Sequence, residues 1–273
     1  MIQPAHSTHQ RSRGELIVTV KSRDGESVLG DLRQEGCMKA RFPRPVDWME
    51  VVTLNAAGGI AGGDRVSSIL RVQSGARATI AAQAAERFYR ALPDDPSSHV
   101  RTHITVEAGA CAEWLPQETI LFDRCAVDRV LEVDVADGGW FLGVETLVFG
   151  RTAMGETVAT ARLADTIRIR HAGRLALHDA IRMDGDVAPA LARAAIGGGA
   201  AAIATLVLVS PDAAGEIDGL RAALAPYDAG ASVWDGMLVA RIVAQDGACI
   251  RAAIVAGLAA LRGGRALPRV WNC

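Results

Sequence analysis

The five cysteines, Cys37, Cys111, Cys125, Cys249 and Cys273, include no C-x-x-C pair; they are odd in number and scattered. That argues against a disulfide framework and fits reduced thiols in a cytosol. A long hydrophobic run is also missing. The longest, "AAAIATLVLV" near Ala200 to Val209, falls well short of the roughly 20 residues that a membrane-spanning helix needs. The opening "MIQPAHSTHQRSRG" is polar, without the apolar centre of a signal peptide. Net charge is −2, so no basic field exists to hold nucleic acid. These absences lead us to expect a soluble, cytoplasmic protein that binds neither membrane nor nucleic acid.

Several catalytic signatures are missing as well. There is no G-x-S-x-G elbow and no H-E-x-x-H. None of the cysteines has a neighbouring histidine to activate it. The stretch "LNAAGGIAGGDRV", Leu54 to Val66, is glycine-rich, but a phosphate-binding loop of the Walker type needs Lys and a hydroxyl where this chain has Asp64 and Arg65. "GGGAAA" from Gly197 fits the relaxed dinucleotide fingerprint G-x-G-x-x-A, yet the apparent strand "TLVLV" follows it instead of preceding it. His99 and His103 would meet on a helix. "HVRTHITV" alternates like a strand, however, and there four residues span roughly 13 Å, too far for one ion. Nothing in these patterns demands an enzyme.

Half the residues are hydrophobic, enough to bury a sizeable core. "GELIVTV" alternates Leu16, Val18 and Val20, and "DG" at Asp24-Gly25 predicts a hairpin into a second strand. A weak repeat then runs from about Val72 to Arg151. Each unit opens Val-x-x-Gly, at Gly75, Gly109 and Gly138, and closes Phe-x-Arg, at Phe88–Arg90, Phe122–Arg124 and Phe149–Arg151. Such a period predicts strand–turn–strand units stacked in successive layers, a β-solenoid-like arrangement. "LPDDPSS" between the first two units is a loop. Later, "GEIDGLRAALAPY" and "ACIRAAIVAGLAALRGG" carry helical spacing, the second with a stripe of Ile250, Ile254, Leu258 and Leu261. Ala253 and Gly257 beside that stripe suit either close packing against a partner's helix or burial in the chain's own core. The expected fold is mainly β with two α-helices in the C-terminal third: a disordered segment over residues 1–13, then one domain over 14–273.

Three carboxylates stand among apolar or small residues: Asp64, Glu118 in "WLPQETILF" and Glu145 in "FLGVETLVF". Each either caps a turn or pairs with a nearby arginine, or lines a polar interior path. Burying an unpaired carboxylate costs several kcal/mol, so an interior one needs an occupation.

The segments "LNAAGGIAGGDR", "ERFYR", "EWLPQETILFD" and the ending "LPRVW", in this order, resemble the urease accessory proteins of the UreD family, called UreH in some bacteria. The family often has Thr where this chain has Ala56 and Ala61. The resemblance implies stacked β-strands with two late helices and a non-enzymatic task. It implies binding to apo-urease and to UreF, which recruits the GTPase UreG, and support for insertion of nickel through an internal path. It makes Asp64, Glu118 and Glu145 candidates for a weak, transient nickel path, with no tightly bound cofactor. A β-rich hydrolase with a dispersed active site is the alternative.

Overall fold

The computed structural model describes residues 10–45, 47–151 and 154–272. The lead-in expected over residues 1–13 lies, up to residue 9, outside the described residues. Strand β1 (Arg13–Arg23) pairs antiparallel with β2 (Glu26–Gly36) through a two-residue turn. Asp24 and Gly25 there have φ of 54° and 81°, the pair of left-handed residues that a type I′ hairpin requires. Then come β3 (Met38–Arg41), β4 (Met49–Asn55), β5 (Arg65–Val72), β6 (Arg77–Ala82) and β7 (Glu86–Phe88). They are followed by β8 (Ser98–Val106), β9 (Cys111–Leu115), β10 (Thr119–Leu121), β11 (Ala126–Val135), β12 (Trp140–Phe149), β13 (Thr160–His171) and β14 (Arg174–Asp186).

Among the described residues, these strands and three more from the C-terminal third form a seven-stranded and a ten-stranded sheet. From β4 to β13 the chain crosses repeatedly between the two, so that β5, β8, β11 and β13 lie parallel in one sheet and β4, β6, β9 and β12 parallel in the other. The strand in the opposite sheet supplies the crossover that parallel neighbours need. Inward positions then align in ladders. Val18, Leu70, Ile104, Val133 and Ile169 are register partners across five strands, and none is more than 1% exposed.

The repeat has a structural basis at its turn end. Val72, Val106 and Val135 are register partners, and Gly75, Gly109 and Gly138 have φ of 76°, 71° and 73°. The turns stack, with Glu107 N–H donating to Val72 O at 3.0 Å and Ala136 N–H to Val106 O at 2.9 Å. At the other end the register departs from the Phe-x-Arg reading by one residue. Leu121, not Phe122, lies between Phe88 and Phe149. Phe122 instead packs edge-on to Tyr89, ring centroids 5.2 Å apart, beneath the Arg151 guanidinium at 4.2 Å.

The C-terminal third adds α1 (Val187–Ala192), β15 (Ala202–Val209), α2 (Ala213–Leu224), β16 (Asp228–Trp234), β17 (Met237–Ala244), α3 (Gly247–Leu261) and a terminal 3-10 turn at Arg269–Asn272. Two of the three α-helices among the described residues are the expected ones. The six-residue α1 is too short for its periodicity to register. Asp246 caps α3 by accepting from Cys249 N–H at 2.7 Å, and α2 stops before Pro226. Both long helices cover the outer face of the ten-stranded sheet, so β12 and β15 are buried on two sides and read as continuous apolar runs. Ala253 is 1% exposed, and a β-carbon on Gly257 would meet Leu206 at 3.3 Å and Leu220 at 3.5 Å. These small residues therefore serve the chain's own helix–sheet packing rather than a partner's helix.

The stacked turns generate a test. A β-carbon at Gly109 meets nothing within 4 Å, so Gly109→Ala is expected to cost about 1–2 kcal/mol through its left-handed backbone alone. Gly230→Ala, equally open but without positive φ, is expected to be neutral or slightly stabilising. Urea unfolding of both variants checks the contrast.

Candidate functional site

Strand alternation turns charge inward at one level of the sandwich. Leu131, Val133 and Val135 of β11 face the core, and Arg129, two residues earlier, must share that face. On β13 the same parity puts Asp165 with Leu163 and Ile167. Arg129 grips Asp165 with two bonds, Nε to Oδ1 at 2.7 Å and Nη2 to Oδ2 at 2.8 Å. Its Nη1 lies 2.7 Å from Glu145 Oε2 and donates to Thr119 Oγ1 at 2.8 Å. The other Glu145 oxygen accepts from Trp114 Nε1 at 2.7 Å. One guanidinium thus faces two carboxyl groups between two sheets, one more acid than a simple ion pair.

Burial pushes the Glu145 carboxyl above its ordinary range, with the Asp165 charge adding to it and Arg129 and Trp114 opposing. Burial alone would lower Arg129, but Asp165 and Glu145 outweigh it and keep the guanidinium charged. Glu86 on β7 is also raised, chiefly by burial, against hydrogen bonding from Asn55.

Cavities connect these groups. One of about 100 Å³ is lined by Glu86, Trp114, Gln117, Arg129 and Glu145. It shares Met38, Thr53, Ala82 and Glu86 with a more open cavity of about 180 Å³ bordered by Asn55 and Arg87. On its other side Glu145 also borders a void of about 10 Å³ lined by Asp165, Asp179, Thr205 and Arg241, room for about one water. Asp179 pairs there with the partly exposed Arg241. A row of polar groups therefore runs between the sheets: Asn55 and Glu86, then Glu145 with Arg129 and Asp165, then Asp179 with Arg241.

Of the three sequence candidates, Glu145 lines this row, and the other two fix the loops beside it. Asp64 is 4% exposed; its carboxylate accepts from Ala61 N–H at 2.8 Å and Ser12 N–H at 2.7 Å, and its carbonyl accepts from His99 N–H at 2.8 Å. Nearby, Arg11 pairs with Asp95, so residues 11 and 12 are held against the sandwich. The glycines ahead of Asp64 allow close approach. A β-carbon on Gly59 would overlap the Tyr89 ring, whose hydroxyl donates to Gly58 O at 2.8 Å. Glu118 pairs with Arg251 at 2.9 Å, and its carbonyl accepts from Glu86 N–H at 3.0 Å, which sets the position of Glu86.

Arg251 also joins two sequence motifs. It donates to Gln117 Oε1 at 2.8 Å and to Trp271 O at 2.5 Å, while Trp271 Nε1 donates to Leu115 O at 3.1 Å. "EWLPQE" and "LPRVW" form one clasp. At its base Glu113, 0% exposed, takes two bonds from Arg262 at 2.9 and 2.8 Å, one from Arg265 at 2.8 Å and one from Thr79 at 2.6 Å. Burial would raise Glu113, but these bonds carry it below the usual carboxylate range.

The other candidates are separate. His99 and His103 sit on β8, partly exposed, each on its own carboxylate, Asp128 at 3.1 Å and Asp134 at 2.7 Å. Gly197–Ala202 leads into β15, so the dinucleotide fingerprint lacks its strand. Among the described residues, no group of three or more His, Cys, Asp or Glu could hold a metal ion, and no helix is long and apolar enough to cross a membrane.

A family model described as "UreD urease accessory protein" matches residues 12–272. The chain belongs to the UreD family. Proteins named urease accessory protein UreD from Rhizobium leguminosarum bv. trifolii (strain WSM2304) and Dinoroseobacter shibae are 42% and 45% identical to it. The first match covers 100% of this chain and 99% of that relative, the second 96% and 93%. Another UreD protein, from Rhodopseudomonas palustris (strain BisA53), is 41% identical over 96% of this chain and 91% of its own. The segments that carried the UreD resemblance are the Asp64 turn, β7 and the two halves of the Arg251 clasp.

Two tests arise from the site. Arg262→Ala leaves Glu113 buried with fewer partners and is expected to destabilise by about 3–5 kcal/mol, part of it recovered by pairing Arg262→Met with Glu113→Gln; urea unfolding checks this. For Glu145, the folded carboxyl is raised above its ordinary 4.5. The folded state therefore holds its proton where the unfolded state has lost it. The associated stability is present below pH 4.5 and is lost as pH rises through the raised value. Stability of Glu145→Gln is expected to fall less steeply than wild type from pH 4.5 to 7, measured as unfolding free energy against pH. Equal slopes would contradict the assignment.

Proposed function

We propose that this chain is a non-catalytic scaffold in urease maturation. In this reading it binds apo-urease and UreF, with UreG joining through UreF, and gives nickel an internal path toward the urease active site. Membership of the UreD family supports the maturation role. The polar row between the sheets supports the path, and the single observation that carries it is Glu145 bordering cavities on both sides.

The chemistry suits passage better than residence. Carboxylates, amides and water hold a borderline divalent ion less tightly than imidazole or thiolate clusters do. Glu86 meets the ion on the open side. Inside, Glu145 offers a carboxylate whose charge Arg129 shares with Asp165 and so balances incompletely. A hydrated ion exceeds the 10 Å³ throat, so passage there requires the ion to shed water and the Asp179–Arg241 pair to swing outward. Asp64 and Glu118 serve by fixing the loops that flank the Glu86 side. Burial, aided by the charges of both Asp64 and Glu86, raises the Cys37 thiol between them and keeps it protonated.

Glu145→Gln keeps the side chain's shape and an acceptor for Arg129 while removing its charge. With urease subunits, UreF and UreG co-expressed, the variant is expected to co-purify normally but to lower urease activation several-fold at limiting nickel. Normal activation at limiting nickel would sink the path; loss of co-purification would sink the scaffold role as drawn.

A further inference from the structure

A cavity of about 470 Å³, more than twice the volume of any along the polar row, opens at the end of the sandwich where the Phe-x-Arg segments finish. Arg90, Arg124 and Arg162 line it against one carboxylate, Asp184. The three arginines come from successive layers: the segment after β7, the turn before β11, and β13. Backbone bonds knit those layers together. Ala91 N–H donates to Arg124 O at 2.9 Å, Arg124 N–H to Thr160 O at 2.8 Å and Arg162 N–H to Cys125 O at 3.0 Å. The positive charge is therefore held on a rigid frame.

Little of that charge is neutralised locally. The Arg90 guanidinium has no hydrogen-bond or ion-pair partner among the described residues. Arg124 holds a left-handed backbone, φ 61°, and its Nε lies 3.5 Å from Asp123 with the side chain 60% exposed. Arg162 spends one donor on Asp95 O, at 2.6 Å. The floor adds no opposing charge, because burial pushes the Cys125 thiol to about 12. Leu92, Pro93 and Ala161 supply an apolar wall.

Planar guanidinium forks match the oxygens of phosphate, and Arg keeps its charge at any working pH. We propose that this cavity binds a small phosphate-bearing anion, either inorganic phosphate or the phosphate of a small organic ester whose body lies on the apolar wall. The site is independent of the nickel path, sharing no lining residue with it.

Isothermal titration of the full-length chain at constant ionic strength tests this, with inorganic phosphate and phenyl phosphate as probes. Saturable binding is expected, weakened about tenfold by Arg90→Ala and tightened by Asp184→Asn. Arg174→Ala, the same charge change at the opposite end of the sandwich, is expected to leave binding unchanged. Tighter binding of phenyl phosphate assigns the site to an ester, and equal binding assigns it to inorganic phosphate. No saturable binding of either probe, or equal weakening by Arg90→Ala and Arg174→Ala, would overturn the proposal.

Discussion

The interaction on which the architecture turns is the grip of Arg129 on Asp165 and Glu145 between two β-sheets. Elsewhere along the facing strands the interior is apolar, built from ladders such as Val18–Leu70–Ile104–Val133–Ile169. At the Arg129 level the sandwich instead encloses one guanidinium and two carboxyl groups. Removing one partner would leave a buried charge uncompensated, at a cost of about 3–5 kcal/mol. The site sets two carboxyl groups against one guanidinium, an excess of acid over base that packing alone does not call for. That excess, with cavities on either side of Glu145, is the feature on which the proposed nickel path rests.

The surrounding devices hold this level in place. The Arg251 clasp joins Gln117 and Glu118 to the end of the chain, and the Glu118 carbonyl orients Glu86. Glu113 with Arg262 and Arg265 fixes the segment after α3, where the Arg265 guanidinium lies 4.0 Å from the Trp48 ring centroid. The Asp64 turn draws residue 12 and β8 together. These contacts explain why separated sequence segments act as one unit. The Asp64 turn and the Arg251 clasp each close a loop near the Glu86 side of the polar row, whereas Glu113 anchors the segment after α3 on the outer face of the ten-stranded sheet.

Much of the fold was legible in the sequence. Alternation gave β1, the Asp-Gly dipeptide gave its hairpin, and the Val-x-x-Gly recurrence marked turns that do stack. Helical spacing found α2 and α3. The solenoid-like description came from the repeat period alone; the observed object is a pair of open sheets exchanging strands, backed by helices. The Phe-x-Arg alignment slipped by one residue because Leu121 and Phe122 are both large and apolar, and only register tells which is buried. For the site, Glu145 stood out as a carboxylate in an apolar run. Arg129 and Asp165 did not, although "AVDRVLEVDV" read with period two places Arg129 on the Leu131–Val133 face. Asp179 and Arg241 lie 62 residues apart and meet only through tertiary packing, which a local pattern cannot reveal.

The central claim is that divalent nickel enters between the sheets. The most direct measurement is anomalous diffraction at the nickel edge from crystals of this chain soaked in nickel, with Glu145→Gln crystals treated alike. The account predicts anomalous density near Glu86 and Glu145 that weakens in the variant at the Glu145 position. Density confined to the outer-face histidines His99 and His103, with none between the sheets, would contradict it.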